Sequence, residues 1–184
     1  MHTSSSQTIG PYLHIGMTWL VEEHMAGEGT SGERITVQGR MVDADGAPVN
    51  DAMLEIWQAN AHGKYAHPED ARDLPVEAGF TGFGRVYTDE DGRFRFHTIK
   101  PGRVPGPDGA FQAPHLNLTI FMRGLLKHLI TRVYFDDDAN ASDAVLQRVP
   151  AERRSTLVAR ATAPGVLEWN VVLQGDGETV FFDY

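Results

Sequence analysis

From Arg34 onward the apolar residues of this chain come in short alternating stretches, and no uninterrupted apolar run exceeds three residues. Such runs are far too short for a membrane-spanning helix, whereas alternation with a period of two turns one face of an extended segment toward a core. Ile35 and Val37 alternate ahead of Asp45-Gly46, and Met53-Leu54-Glu55-Ile56-Trp57 follows. Leu116, Leu118, Ile120 and Met122 alternate with polar or small residues, and residues 128–135 and 167–173 add two more strand-like clusters. Between Val86-Tyr87-Thr88 and Phe94-Arg95-Phe96, the turn Asp89-Glu90-Asp91-Gly92 predicts a β-hairpin, because Asp-Gly supplies the positive φ that joins twisted strands.

Only residues 140–160 read as helical, with Ser142 capping Asp143-Ala144-Val145-Leu146 and Pro150 at the first position of a second short helix through Arg154. The expected fold is therefore mainly β, an antiparallel β-sandwich with long loops and one or two short helices. Residues 1–184 read as a single domain, with residues 1–33 as an N-terminal arm around Gly10-Pro11 and the flexible stretch 27–32.

A chain of 184 residues buries roughly 70% of its extended surface and can support one core without staples. It has no cysteine, which removes disulfides, thiolate nucleophiles and cysteine-based metal sites together. A reducing compartment suits it. The start, residues 1–7, lacks the basic and apolar regions of a signal peptide, so a cytoplasmic location without membrane attachment is expected. Sixteen Lys and Arg against 25 Asp and Glu give a formal charge of −9, and the basic residues are scattered singly, which argues against nucleic acid. An anionic substrate would need a locally placed Arg or Lys.

Signatures of nucleophilic, zinc-protease and P-loop chemistry are missing. His115 and Asn117 stand two apart on an expected strand and share a face, as a metal-binding His-x-His pair would, but an amide oxygen is a poor ligand for a transition metal. Taken alone, His115 reads better as a hydrogen-bonded core histidine. Gln7-Thr8-Ile9-Gly10-Pro11-Tyr12 suits either a docked arm or a segment lining a neighbour's pocket. Arg132, in the apolar run Thr131-Arg132-Val133-Tyr134-Phe135, needs either an intrachain acid such as one of Asp136, Asp137 and Asp138, or a ligand.

Taken together, residues 6–12, Leu54-Glu55-Ile56-Trp57-Gln58-Ala59-Asn60, residues 84–102, Ala113-Pro114-His115 and residues 131–137 resemble the intradiol ring-cleavage dioxygenases. The likeness extends from Ser6 nearly to the C-terminal end. It implies a β-sandwich and the opening of a small catecholic ring by O₂ between its two hydroxylated carbons, at a non-haem Fe(III) held by two tyrosines and two histidines. At the matching positions this chain has Arg72, Val104, His115 and Asn117, so three of the four ligands are absent. The resemblance therefore implies a metal-free alpha subunit with no catalytic residue of its own. Its partner is an iron-bearing beta subunit in a higher αβ oligomer, and Thr8, Pro11, Tyr12 and Arg132 line the shared pocket. Two rival readings are a transthyretin-like binding module, which has no reason to carry the arm and the Trp57-Gln58-Ala59-Asn60 block, and a self-sufficient catechol dioxygenase, which needs the missing ligands.

Overall fold

The computed structural model describes residues 8–10, 12–106 and 109–183. They form β1 (Arg34–Val42), β2 (Met53–Trp57), β3 (Phe83–Tyr87), β4 (Arg93–Ile99), β5 (Val104–Pro105), β6 (Phe111–Gln112), β7 (His115–Phe121), β8 (Leu129–Phe135), β9 (Val158–Ala163), β10 (Val166–Glu168) and β11 (Val171–Val172). One leaf is β3-β2-β7-β8, antiparallel throughout. The other is β4-β1 with β10 and β11 along the far edge of β1. β9 joins them, pairing with β8 through Val158 and Ala159 and with β10 through residues 160–163.

The mainly β sandwich is as expected, but it is not wholly antiparallel: β10 and β11 run parallel to β1, and β9 runs parallel to β8. Such pairs need long crossovers, and short-range alternation carries no sign of them.

The period-two pattern becomes the core. Leu54, Ile56, Val86, Leu116, Leu118 and Ile120 from one leaf face Ile35, Val37, Met41, Phe94 and Phe96 from the other. Each such side chain contributes on the order of 2 kcal/mol by leaving water. Gly39 interrupts the inward series of β1 because a Cβ there would lie 1.7 Å from the Trp169 carbonyl oxygen.

The expected hairpin is corrected. Its turn forms, with Gly92 at φ 74° and its N–H donating to Asp89 O at 2.9 Å, but β3 pairs with β2 and β4 pairs with β1. The two strands part to opposite leaves, and residues 22–26 fill the gap. Glu22 exchanges both backbone hydrogen bonds with Arg85, Met25 N donates to His97 O, and His97 N donates to Glu23 O. Met25 is wholly buried against Gly84, where a Cβ would come within 2.8 Å of its side chain. The segment read as an arm is thus divided. Residues 22–26 close a sheet edge that would otherwise expose unpaired backbone groups, while Tyr12, Ile15 and Trp19 before them are exposed.

The helical expectation also changes. Residues 138–157 hold three 3₁₀ segments, Asp138–Ser142, Leu146–Arg148 and Ala151–Leu157, and β9 begins at Val158 inside the stretch expected to be helical. Ser142 does not cap, since its hydroxyl donates to Ala139 O. Asp143 accepts the bonds from Val145 N and Leu146 N instead. Pro150 precedes its segment as the N-cap, and a five-residue α1 (Tyr12–Gly16) lies in the N-terminal region where no helix was expected. Among the described residues no helix is long and apolar enough to cross a membrane.

Candidate functional site

Because Leu116 and Leu118 point into the core, His115 and Asn117 occupy the opposite face of β7. Register sets Asn117 between Trp57 of β2 and Arg132 of β8, and puts His115 beside Tyr134. These five side chains are therefore brought together by strand pairing alone.

The loop of residues 60–75 covers this row. Gln58 is fully buried and satisfied, donating to Ala59 O and Ile99 O and accepting from the Thr98 hydroxyl. Asn60 then accepts from His62 N and Lys64 N and donates to Pro75 O, which ties both ends of the loop. Inside it, Asp70 accepts from Arg72 Nε at 2.8 Å and Tyr65 N at 2.9 Å, while buried Lys64 bonds the carbonyls of Asp70 and Arg72. The Arg72 bond holds the Asp70 carboxyl well below the usual carboxylate range. The Trp57-Gln58-Ala59-Asn60 block and its acid–base knot thus set Tyr65 over the strands, its ring stacked on Trp57 at 5.8 Å and 6°.

Burial and the Arg132 charge set the electrostatics of this row. Burial, then the Arg132 charge, pushes the His115 imidazole down to about 4, while the Ala113 carbonyl bonded to Nδ1 at 2.8 Å pulls the other way. Since a carbonyl only accepts, Nδ1 carries the proton and the ring is neutral at ordinary pH. Burial raises the Tyr65 phenol, offset in part by Arg132, by a hydrogen bond with Asn117 and by Arg72. Burial likewise raises Tyr134 far above the usual phenol range. Arg132 Nη1 donates to Gln112 Oε1 at 2.8 Å and to the Tyr134 oxygen at 3.3 Å. Tyr134 in turn donates to the buried Asp143 carboxylate at 3.2 Å.

Arg72, Val104, His115 and Asn117 do converge on this region, with Val104 and Arg72 lining a cleft beside Trp57 and Tyr65. They do not fit a ferric ion. A guanidinium and an isopropyl group replace phenolates, the amide of Asn117 is taken by Tyr65, and the described residues hold no cluster of three or more His, Asp and Glu.

Of the other expected pocket residues, Thr8 lies elsewhere. The Thr8 hydroxyl accepts from Gly124 N at 2.9 Å, past the far end of β7, and Met122 lies five residues from Asn117, roughly 17 Å along a strand. Tyr12 is exposed, and Pro11 lies outside the described residues. Sequence reasoning missed Tyr65, Gln112, Tyr134 and Asp143. No periodicity marks the loop, and Asp143 had been read only as a helical residue.

The family model described as Dioxygenase matches residues 17–175. The chain belongs to the intradiol dioxygenase family. It is 45% identical to the protocatechuate 3,4-dioxygenase alpha chain of Burkholderia cepacia, covering 97% of this chain and 95% of that one. The beta chain from the same organism is 39% identical, over 80% of this chain and 67% of its own. Among solved structures, 3-chlorocatechol 1,2-dioxygenase from Rhodococcus opacus 1CP superposes with a TM-score of 0.63 at 25% identity, covering 94% of this chain and 68% of the other. Homology to alpha and beta chains alike marks a two-subunit enzyme, and the transthyretin-like alternative is not favoured.

Neutral His115 gives a testable pH dependence. In the unfolded chain an ordinary histidine binds its proton near 6.5, but in the folded chain only near 4, so the unfolded state holds more protons between these values. Stability is then complete above about pH 6.5 and declines as pH falls toward 4, by about 3 kcal/mol in all. Urea unfolding of the wild type and His115→Gln at pH 7.5 and 4.5 should show a steeper acid loss for the wild type. Parallel losses would refute the assignment.

Proposed function

We propose that this chain is the metal-free alpha subunit of a cytoplasmic protocatechuate 3,4-dioxygenase, completing the pocket of an iron-bearing beta subunit in a higher αβ oligomer. The observation that carries the reading is the altered donor set. Three of the four expected ligand positions have lost their donors in a chain homologous to alpha chains along nearly its whole length. The assembled enzyme would open protocatechuate with O₂ to 3-carboxy-cis,cis-muconate, with the non-haem Fe(III) supplied by the partner.

This chain's own residues bind and orient. Arg132, held by Gln112 and Tyr134, presents a fixed positive charge to an anionic substrate, a need set by the overall charge of −9. Exposed Tyr12, with Pro11, walls the aromatic ring, and Thr8 offers a hydroxyl. Thr8 is bonded at the turn beyond β7 and Arg132 lies opposite Asn117 on β8, so a partner seated across both strands meets both. Exposed Ile15 and Trp19 flank the arm on the same stretch.

The chain expressed alone should bind no iron and consume no oxygen with protocatechuate, whereas the complex with a beta subunit should do both. Iron and turnover in the lone chain would overturn the reading. Arg132→Ala in the complex should lower kcat/KM by about tenfold or more, mostly through KM, with iron content unchanged. Wild-type kinetics would remove Arg132 from the pocket.

A further inference from the structure

Residues 22–26 lie in the gap between β3 and β4, and one residue of β4 makes both backbone bonds to them. His97 N donates to Glu23 O at 2.7 Å, and His97 O accepts from Met25 N at 3.0 Å. On the β3 side Glu22 and Arg85 exchange bonds at 2.9 Å, and Thr81 N donates to Met25 O at 3.3 Å. The His97 side chain adds a second contact. Phe94 and Phe96 point into the core, so His97 stands on the outer face of β4, where its ring stacks on His24 with centroids 4.7 Å apart and planes within 10°. The segment is thus fastened to β4 at a single residue, by its backbone and by a pair of titratable rings.

Two neutral imidazoles in this arrangement attract as aromatic rings do, whereas two imidazolium ions repel. Glu23 places Oε1 3.5 Å from His24 Nε2, so a first proton is accommodated at the exposed His24. A second proton on His97 meets the charged His24 ring and Arg95, its neighbour on the same outer face of β4. The other charged groups around the pair are committed or stand off. Arg34 of β1 donates to the carbonyls of Ala26, Glu28 and Thr30, and Arg85 of β3 is ion-paired with Glu55. Glu168 of β10 stands opposite Gln38, two residues beyond Thr36, and Glu22 is exposed. The Thr36 hydroxyl, 3.0 Å from His97 Nδ1, serves as donor or acceptor and so does not bar protonation.

We propose that the His24–His97 stack is an acid-sensitive clasp, which lets residues 22–26 leave the edge of β4 in mild acid. Burial, then the His24 and Arg95 charges, holds the clasped His97 imidazole below its ordinary value of 6.5, while Glu23 pulls the other way. Once detached, His97 takes up a proton more readily, so the clasp is complete above about pH 6.5 and weakens as pH falls below it. Met25, wholly buried when the segment is seated, draws it back when the rings lose their protons. Opening bares the facing backbone edges of β3 and β4 and slackens the anchor of the chain before residue 22, while both leaves stay closed. The inference rests on contacts within this chain and does not depend on which subunit holds iron.

The test is hydrogen exchange of the full chain at pH 7.5 and 5.5, with rates corrected for the intrinsic pH dependence of exchange. Relative to the amides of β2 and β7, those of Glu22, Met25, Arg85 and His97 should exchange about tenfold faster at the lower pH. His24→Gln and His97→Gln should each cut that ratio to about twofold or less. In His24→Gln, nuclear magnetic resonance should show the His97 titration moving up, because one of the charges that holds it down is gone. Glu23→Gln should enlarge the acceleration by removing the offsetting carboxylate. A wild-type ratio that does not change with pH overturns the proposal, as does an acceleration that survives in both histidine variants. Equal acceleration in β2 and β7 overturns it too, by making the loss global. Should the lone chain be unfolded at pH 7.5, the same ratios are read in the complex.

Discussion

Asp143→Ala is expected to destabilise the folded chain by about 4 kcal/mol. The carboxylate is wholly buried and accepts four hydrogen bonds, from Ala113 N at 2.7 Å, Val145 N at 2.9 Å, Leu146 N at 2.7 Å and the Tyr134 hydroxyl at 3.2 Å. Alanine leaves three backbone donors and a phenol without an acceptor, and each stranded group costs about 1 kcal/mol or more. With a urea slope of about 2 kcal/mol/M for a chain of this size, the midpoint should fall by about 2 M. Asp143→Asn keeps one oxygen for the Val145 and Leu146 amides but turns an NH₂ toward Ala113 N, so about half the loss is expected. The effect should also reach the pocket, because Asp143 holds Tyr134 and Tyr134 accepts from Arg132. A complex carrying Asp143→Asn should show a raised KM. A midpoint unmoved by Asp143→Ala would mean that other groups or water satisfy these donors.

The second large effect is expected at Asp70→Asn. Lys64 and Asp70 side chains are only 7% and 8% exposed, and Arg72 shares the same carboxylate. An amide leaves two cations without a counter-charge, a change that costs about 3–5 kcal/mol when a buried pair is broken from one side. The loop of residues 60–75 can open by itself, so the loss should appear first as local unfolding. Hydrogen exchange should accelerate in residues 60–75 by about a hundredfold or more while β7 and β2 stay protected. Loss of the Trp57–Tyr65 stack should accompany it as a change in tryptophan emission.

The sign with pH is fixed by the depressed Asp70 carboxyl. Its contribution is complete above the ordinary carboxylate value and is lost only as pH falls through its lowered one, so the wild type and the variant should converge in strong acid. Uniform acceleration of exchange across the whole chain would instead make the knot part of the global core.

Much of this was legible because strand pairing is a period-two problem. Leu116, Leu118 and Ile120 assign one face of β7 to the core, which puts His115 and Asn117 together on the other. The Asp-Gly turn at residues 91–92 was legible as well, but not where its strands would go. Register and partner choice depend on which edge is free, and residues 22–26 had already taken that space beside β3 and β4. The arm misled for the same reason, since a single inward Met25 carries no periodicity.

The sequence by itself determined the strand-rich class and the faces of the strands, since these depend on residue identity and local alternation alone. Only the tertiary structure decided what meets on the outer face of β7 and β8. The loop of residues 60–75 laid Tyr65 over Asn117, Arg132 was braced by Gln112 and Tyr134, and Thr8 was set past the far end of the leaf. Those outcomes rest on contacts between residues distant in the chain, whose geometry is fixed by packing and by the need of buried polar groups for partners.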